Sequence, residues 1–211
     1  MLTRRSAAMG GRIASVAAPK NVCVFCSSSD AVEAAFFEAA AELGALLARR
    51  NYSLLYGGAQ VGLMGALAGA VHREGGHVIG VIPQAIHRQG VAYLAADELI
   101  VTQDLRERKT VMNDRSDAFL ALPGGFGTLE EFLEILTLRQ LGYHDKPLVL
   151  LNTQDFFEPL LQLFEHLYRS QFAKPEYRSL YHVAGSPAAA LDHLESYQPT
   201  ATPSKWFEPG V

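Results

Sequence analysis

What most constrains this chain is the alternation of short, continuously apolar runs with longer amphipathic ones. The apolar runs fall at residues 22–26, 53–56, 77–82, 98–101, 118–122 and 147–151. Helix-like spacing fills most of the gaps, at 32–50, 63–74, 105–115, 129–141 and 156–169, with a last helix expected over 187–197. Strands that alternate with helices build βαβ units and a mainly parallel sheet. Strands apolar on both sides are those covered by helices on both faces. The expected fold is therefore an α/β, Rossmann-like three-layer sandwich around a mainly parallel central sheet. Its domain is expected over 21–197, between an N-terminal tail expected to be disordered, 1–20, and a Pro- and Thr-rich C-terminal tail, 198–211.

Composition excludes more than it suggests. A net charge of −4 over 211 residues leaves no basic footprint for nucleic acid, so an anionic ligand must be held by local amides and a few placed cations. No apolar run reaches the roughly 18 residues of a membrane span, and the chain is expected to be soluble and cytoplasmic. The histidines lack metal-ligand spacing, and neither a metal nor a cofactor is expected. Cys23 and Cys26 form a C-x-x-C that could be a redox pair. They lie in a strand-like run, however, where residues three apart point to opposite faces, so the sulfurs should diverge.

The most informative stretch is Leu122-Pro-Gly-Gly-Phe-Gly-Thr-Leu-Glu-Glu131. A buried strand runs into glycines and then into a helix, whose free N–H groups and partial positive charge suit a phosphate. The loop is neither a Walker motif nor the dinucleotide G-x-G-x-x-G. Two readings of Glu131 stand side by side. Thr128-Leu-Glu-Glu131 matches a capping box, in which Glu131 satisfies an amide at the helix start. The same carboxylate could instead face a ligand. Arg108, Met112 and Arg115 share one helical face, which reads either as a solvated charged face or as an anion grip in which Arg108 holds phosphate bidentately. The glycines of Tyr56-Gly-Gly-Ala-Gln-Val-Gly-Leu-Met-Gly65 read equally as a tight turn or as a close approach to ribose or phosphate.

Together these pieces resemble the Lonely Guy family of cytokinin riboside 5'-monophosphate phosphoribohydrolases. The signature P-G-G-x-G-T-x-x-E stands intact from Pro123 to Glu131, flanked in order by Cys23-Val-Phe-Cys26, Gly62-Leu-Met-Gly65, Val78-Ile-Gly-Val-Ile-Pro83, Arg108-Lys109 and Leu141-Gly-Tyr-His-Asp-Lys-Pro147. The resemblance implies hydrolysis of an N6-modified adenosine monophosphate to free base and ribose 5-phosphate, activity on AMP itself in some members, and a homodimer. It places the catalytic pair on Arg108 and Glu131. It places substrate contacts on Arg108, Lys109, Gly124, Gly125, Phe126, Gly127, Thr128, Leu129, Glu130 and Thr137. Two departures bear on base or ribose preference: Ser27 stands where members commonly have Gly, and the loop from Ile82 to Gly90 carries no Glu. The rival readings are a non-catalytic carrier of a nucleotide or phosphorylated cofactor, and a lysine decarboxylase, which would need a Schiff-base lysine that the glycine loop lacks.

Overall fold

The computed structural model describes residues 21–199. The tails expected at 1–20 and 198–211 therefore lie outside the described residues, save for 198 and 199. Seven parallel strands form one sheet in the order β4-β3-β2-β1-β5-β6-β7. They are β1 Asn21–Phe25, β2 Ser53–Tyr56, β3 Val78–Pro83, β4 Glu98–Thr102, β5 Ala118–Ala121, β6 Leu148–Leu151 and β7 His182–Ala184. Between them lie α1 Ala34–Arg49, α2 Gly62–Arg73, α3 Gln84–His87, α4 Leu105–Arg115, α5 Phe126–Gln140 and α6 Glu158–Arg169, with α7 Pro187–Ser196 after the last strand. No helix among the described residues is long and apolar enough to cross a membrane.

The sheet divides the core in two because strand side chains alternate. Val22 and Val24 join Cys26 on one face, under Leu43 and Leu47 of α1, Leu67 of α2 and Leu191 of α7. Cys23 and Phe25 point the other way, toward Met112 of α4, Phe132 of α5 and Phe164 of α6. The two cysteines thus sit in separate cores, both buried and free, and burial pushes both thiols well above their usual range. That arrangement disposes of the redox pair.

Strands run leftward from β1 to β4, and β5 then lies on the opposite side of β1. The β1–β5 border is the switch point, beyond whose carboxyl ends such sheets bind ligands. Residues 26–29 leave β1 there, and residues 122–128 leave β5. The start of α2 presses on the first of these loops. Gly62 has φ +58°, and a Cβ on it would lie 2.4 Å from the Ser28 carbonyl carbon. Gly62→Ala combines left-handed strain with a backbone clash, so denaturant unfolding should show a loss of about 2–4 kcal/mol. An unchanged midpoint would mean that the loop yields freely.

The sequence reading missed β7, the single turn of α3 and the 3₁₀ segments Thr153–Asp155 and Pro175–Leu180, all too short to show a period. Its start for the fifth helix needs correction as well: α5 begins at Phe126, inside the glycine loop, rather than at 129.

Candidate active site

The early start of α5 overturns the capping box. Gly125 is the N-cap and offers no side chain, while Thr128 is already helical. The Thr128 side chain packs over Gly124, where a Cβ would lie 2.1 Å from its hydroxyl, so residue 124 must be glycine for the chain to enter the helix here. The first amides of α5 consequently have no side-chain cap. The start of α2 differs, since the Asp30 carboxylate accepts from Gly62 N–H at 2.9 Å. Of these two helix starts beside the switch point, only that of α5 presents its partial positive charge uncompensated.

Freed from capping, Glu131 turns inward to Arg108. Arg108 Nη1 lies 2.5 Å from Glu131 Oε1, and the two residues are 8% and 6% exposed. Arg108 is fixed further by a 3.0 Å hydrogen bond from Nε to the Val81 carbonyl. A Cβ on Gly57 would come within 2.7 Å of Arg108 Nη2, so Gly57 makes room for the guanidinium. The solvated-face reading of Arg108 therefore fails. Burial pushes the Glu131 carboxyl above its ordinary 4.5, against the opposing pull of Arg108. The neighbouring positions form a second, outer pair: Lys109 Nζ binds Glu130, and Glu134 at 2.8 Å. Residues adjacent on a helix point about 100° apart, which sends one cation–carboxylate pair inward and the other to solvent.

Arg108 and Glu131 line an open cleft of about 720 Å³ at the carboxyl ends of β1, β2, β3 and β5. Gly125, Phe126, Gly127 and Thr128 form its wall on the α5 side. A Cβ on Gly125 or Gly127 would meet nothing within 4 Å, so the backbone there is open to a ligand. The volume lies within the range of small-molecule sites. Ser27, Ser28 and Ser29 border the cleft as well, with the Ser27 hydroxyl accepting from Ser29 N–H at 3.0 Å.

Not every residue expected at the site converges on this cleft. Gly124 lies under Thr128, and Leu129 packs on the core. Lys109 and Glu130 occupy the outer pair. Thr137 is exposed farther along α5, donating to the Leu133 carbonyl at 2.7 Å and bordering a separate groove with Phe164 and Tyr168. The sequence reading gave no role to Val91 or Leu105, which also line the cleft, because isolated apolar residues carry no motif. No lysine lines the cleft, so it offers no Schiff-base residue. Among the described residues no group of three or more His, Cys, Asp or Glu is placed to hold a metal.

Comparison with known proteins identifies the family. A family described as "Possible lysine decarboxylase" matches residues 64–194. The cytokinin riboside 5'-monophosphate phosphoribohydrolase LOG1 of Arabidopsis thaliana is 42% identical over 85% of this chain and 84% of its own. LOG5 of the same plant, which carries the same name, is 41% identical over 85% of this chain and 79% of its own. Among solved structures, the molybdenum cofactor binding protein of Rippkaea orientalis superimposes with a TM-score of 0.66 at 25% identity, covering 84% of this chain and 96% of that one. By its match from residue 64 to 194 and its 41–42% identity to those plant enzymes, the chain belongs to the Lonely Guy family of cytokinin riboside 5'-monophosphate phosphoribohydrolases.

Proposed function

We propose that this protein hydrolyses the N-glycosidic bond of N6-modified adenosine 5'-monophosphates, and of AMP itself, releasing the base and ribose 5-phosphate. The observation that carries the reading is the buried Arg108–Glu131 pair at the wall of a nucleotide-sized cleft, beside an uncapped helix start. The free amides of α5 hold the 5'-phosphate, where the helix dipole favours an anion. Breaking the bond at C1' leaves oxocarbenium-like charge on the ribose, which the Glu131 carboxylate stabilises. Glu131 also takes a proton from the attacking water; the remaining hydroxide adds to C1', and the departing base acquires one proton. Arg108 favours the ionised form of Glu131 against the effect of burial and orients it toward the sugar.

Release of free base, followed by chromatography with AMP, isopentenyladenosine monophosphate and the matching nucleoside, tests this directly. Base should appear from the monophosphates and not from the nucleoside. Because Glu131 must be ionised to act, and burial raises its pKa, the rate should climb with pH along an acid limb centred above 4.5. A limb below that value would remove Glu131 from the role of base.

Likeness to the molybdenum cofactor binding protein of Rippkaea favours a second reading, a protein that binds a nucleotide or cofactor without cleaving it. Tight binding of nucleotide with no release of base would establish that reading, although a carrier has no use for a buried ion pair at its ligand. We also infer a homodimer. The supporting feature is that α5, α6 and the residues just after them carry several exposed apolar side chains, Leu133, Leu141, Tyr143, Leu163 and Phe172, which suit coverage by a second copy.

A further inference from the structure

The wall of the cleft opposite α5 is a strap formed by residues 89–93, and it is fastened at several points. Gln60 N–H donates to the Val91 carbonyl and Tyr93 N–H to the Gly58 carbonyl, both at 2.8 Å, on either side of an antiparallel bridge between Ala59 and Ala92. The Tyr93 hydroxyl lies 2.9 Å from His72 Nδ1, and His72 Nε2 lies 3.0 Å from Asp97 Oδ2. A neutral His72 that donates to Asp97 leaves Nδ1 to accept from Tyr93, so one tautomer satisfies the chain. The strap is thus a fixed wall.

Its chemistry is mostly apolar. Ile86 and Val91 face the cleft from this side together with Pro83. Gln89 lines the cleft too, exposed, and its side-chain amide has no hydrogen-bond partner among the described residues. The strap follows β3, whereas the uncapped α5 follows β5, and β2 and β1 lie between those strands. Neighbouring strands are about 4.8 Å apart, so the two walls stand roughly three spacings, or about 14 Å, from each other. A nucleoside monophosphate with its phosphate on α5 and its C1' beside Glu131 therefore directs its base at the strap.

We propose that Gln89 is a specificity-determining residue that reads the base as adenine; this rests on the nucleotide-hydrolase reading above. A carboxamide presents an acceptor and a donor side by side. These match the N6–H donor and N7 acceptor of adenine, the pairing that glutamine makes with adenine in DNA recognition. An N6-monosubstituted adenine keeps one N–H and still fits. A 6-oxopurine places an acceptor where adenine has its donor, which leaves the glutamine carbonyl facing a lone pair. The apolar neighbours Ile86 and Val91 accept the flat ring without selecting among purines.

The test measures both the equilibrium affinity and the kcat/KM of wild type and Gln89→Leu for AMP, IMP and adenosine. Wild type should prefer AMP to IMP by roughly ten-fold or more, and Gln89→Leu should bring that ratio close to one by losing AMP. The preference for AMP over adenosine, set at the phosphate end, should be unchanged. Retention of the AMP-to-IMP ratio by Gln89→Leu, in either measurement, overturns the proposal. Binding keeps the two claims apart: a protein that cleaves no nucleotide refutes the hydrolase reading, while its affinity ratio still decides the role of Gln89.

Discussion

Glu131→Gln should lower kcat by about a thousand-fold while the protein stays folded and continues to bind nucleotide. The amide is nearly isosteric and still accepts a hydrogen bond from Arg108, so the cleft keeps its shape. What disappears is the negative charge beside C1' and the capacity to take a proton from water. Loss of a preorganised electrostatic partner together with a general base commonly costs 10²–10⁴ in rate. Single-turnover release of base at saturating AMP, with circular dichroism and AMP affinity as controls, makes the measurement. A loss of less than about ten-fold would leave Glu131 as a structural partner of Arg108 and nothing more.

The second large effect concerns stability. Arg108→Leu removes the guanidinium but leaves the Glu131 carboxylate buried and unpaired. Breaking a buried ion pair from one side costs about 3–5 kcal/mol, which for a chain of this size lowers Tm by roughly 10 °C. The pH dependence fixes the cause. Without Arg108 the folded-state pKa of Glu131 lies further above its unfolded value, so the penalty is full above the folded pKa and fades as pH falls through it. The variant should therefore lose less stability at pH 5 than at pH 8. Adding Glu131→Leu should restore most of the lost Tm, because apolar replacement of both partners is often neutral. A double variant no more stable than the single one would refute this account of the pair.

The sheet was legible because the central strands β1, β2, β3, β5 and β6 carry continuous apolar runs covered on both faces, while the edge strand β4 shows the same run although Val101 is exposed. The three residues of β7 carry no such run, and only their neighbours place them in the sheet. At the site, the order of motifs pointed to Arg108 and Glu131, and those two do meet at the cleft. Local pattern misled at Thr128. The T-x-x-E spacing describes a cap only if the threonine is the residue just before the helix, and Gly124 lets the helix start three residues sooner. The helical spacing of the charges did not show which of Arg108 and Lys109 turns inward. Which of two adjacent cations turns inward depends on the register of α4 against β3, and there Arg108 reaches the Val81 carbonyl. The strap wall was invisible for a similar reason, since Val91 and Tyr93 are tied by main-chain bonds to Gln60 and Gly58, about thirty residues earlier.

The separate burial of Cys23 and Cys26 has a practical corollary. Cys23 is sealed within the core, while Cys26, 2% exposed, also borders the cleft, and burial holds both thiols protonated. Reagents that capture thiolates can reach Cys23 only when the sheet itself comes apart. Cys23 is therefore an internal clock: once Cys26 is replaced by Ala, the rate at which a folded sample consumes a thiol dye reports how often the whole molecule opens.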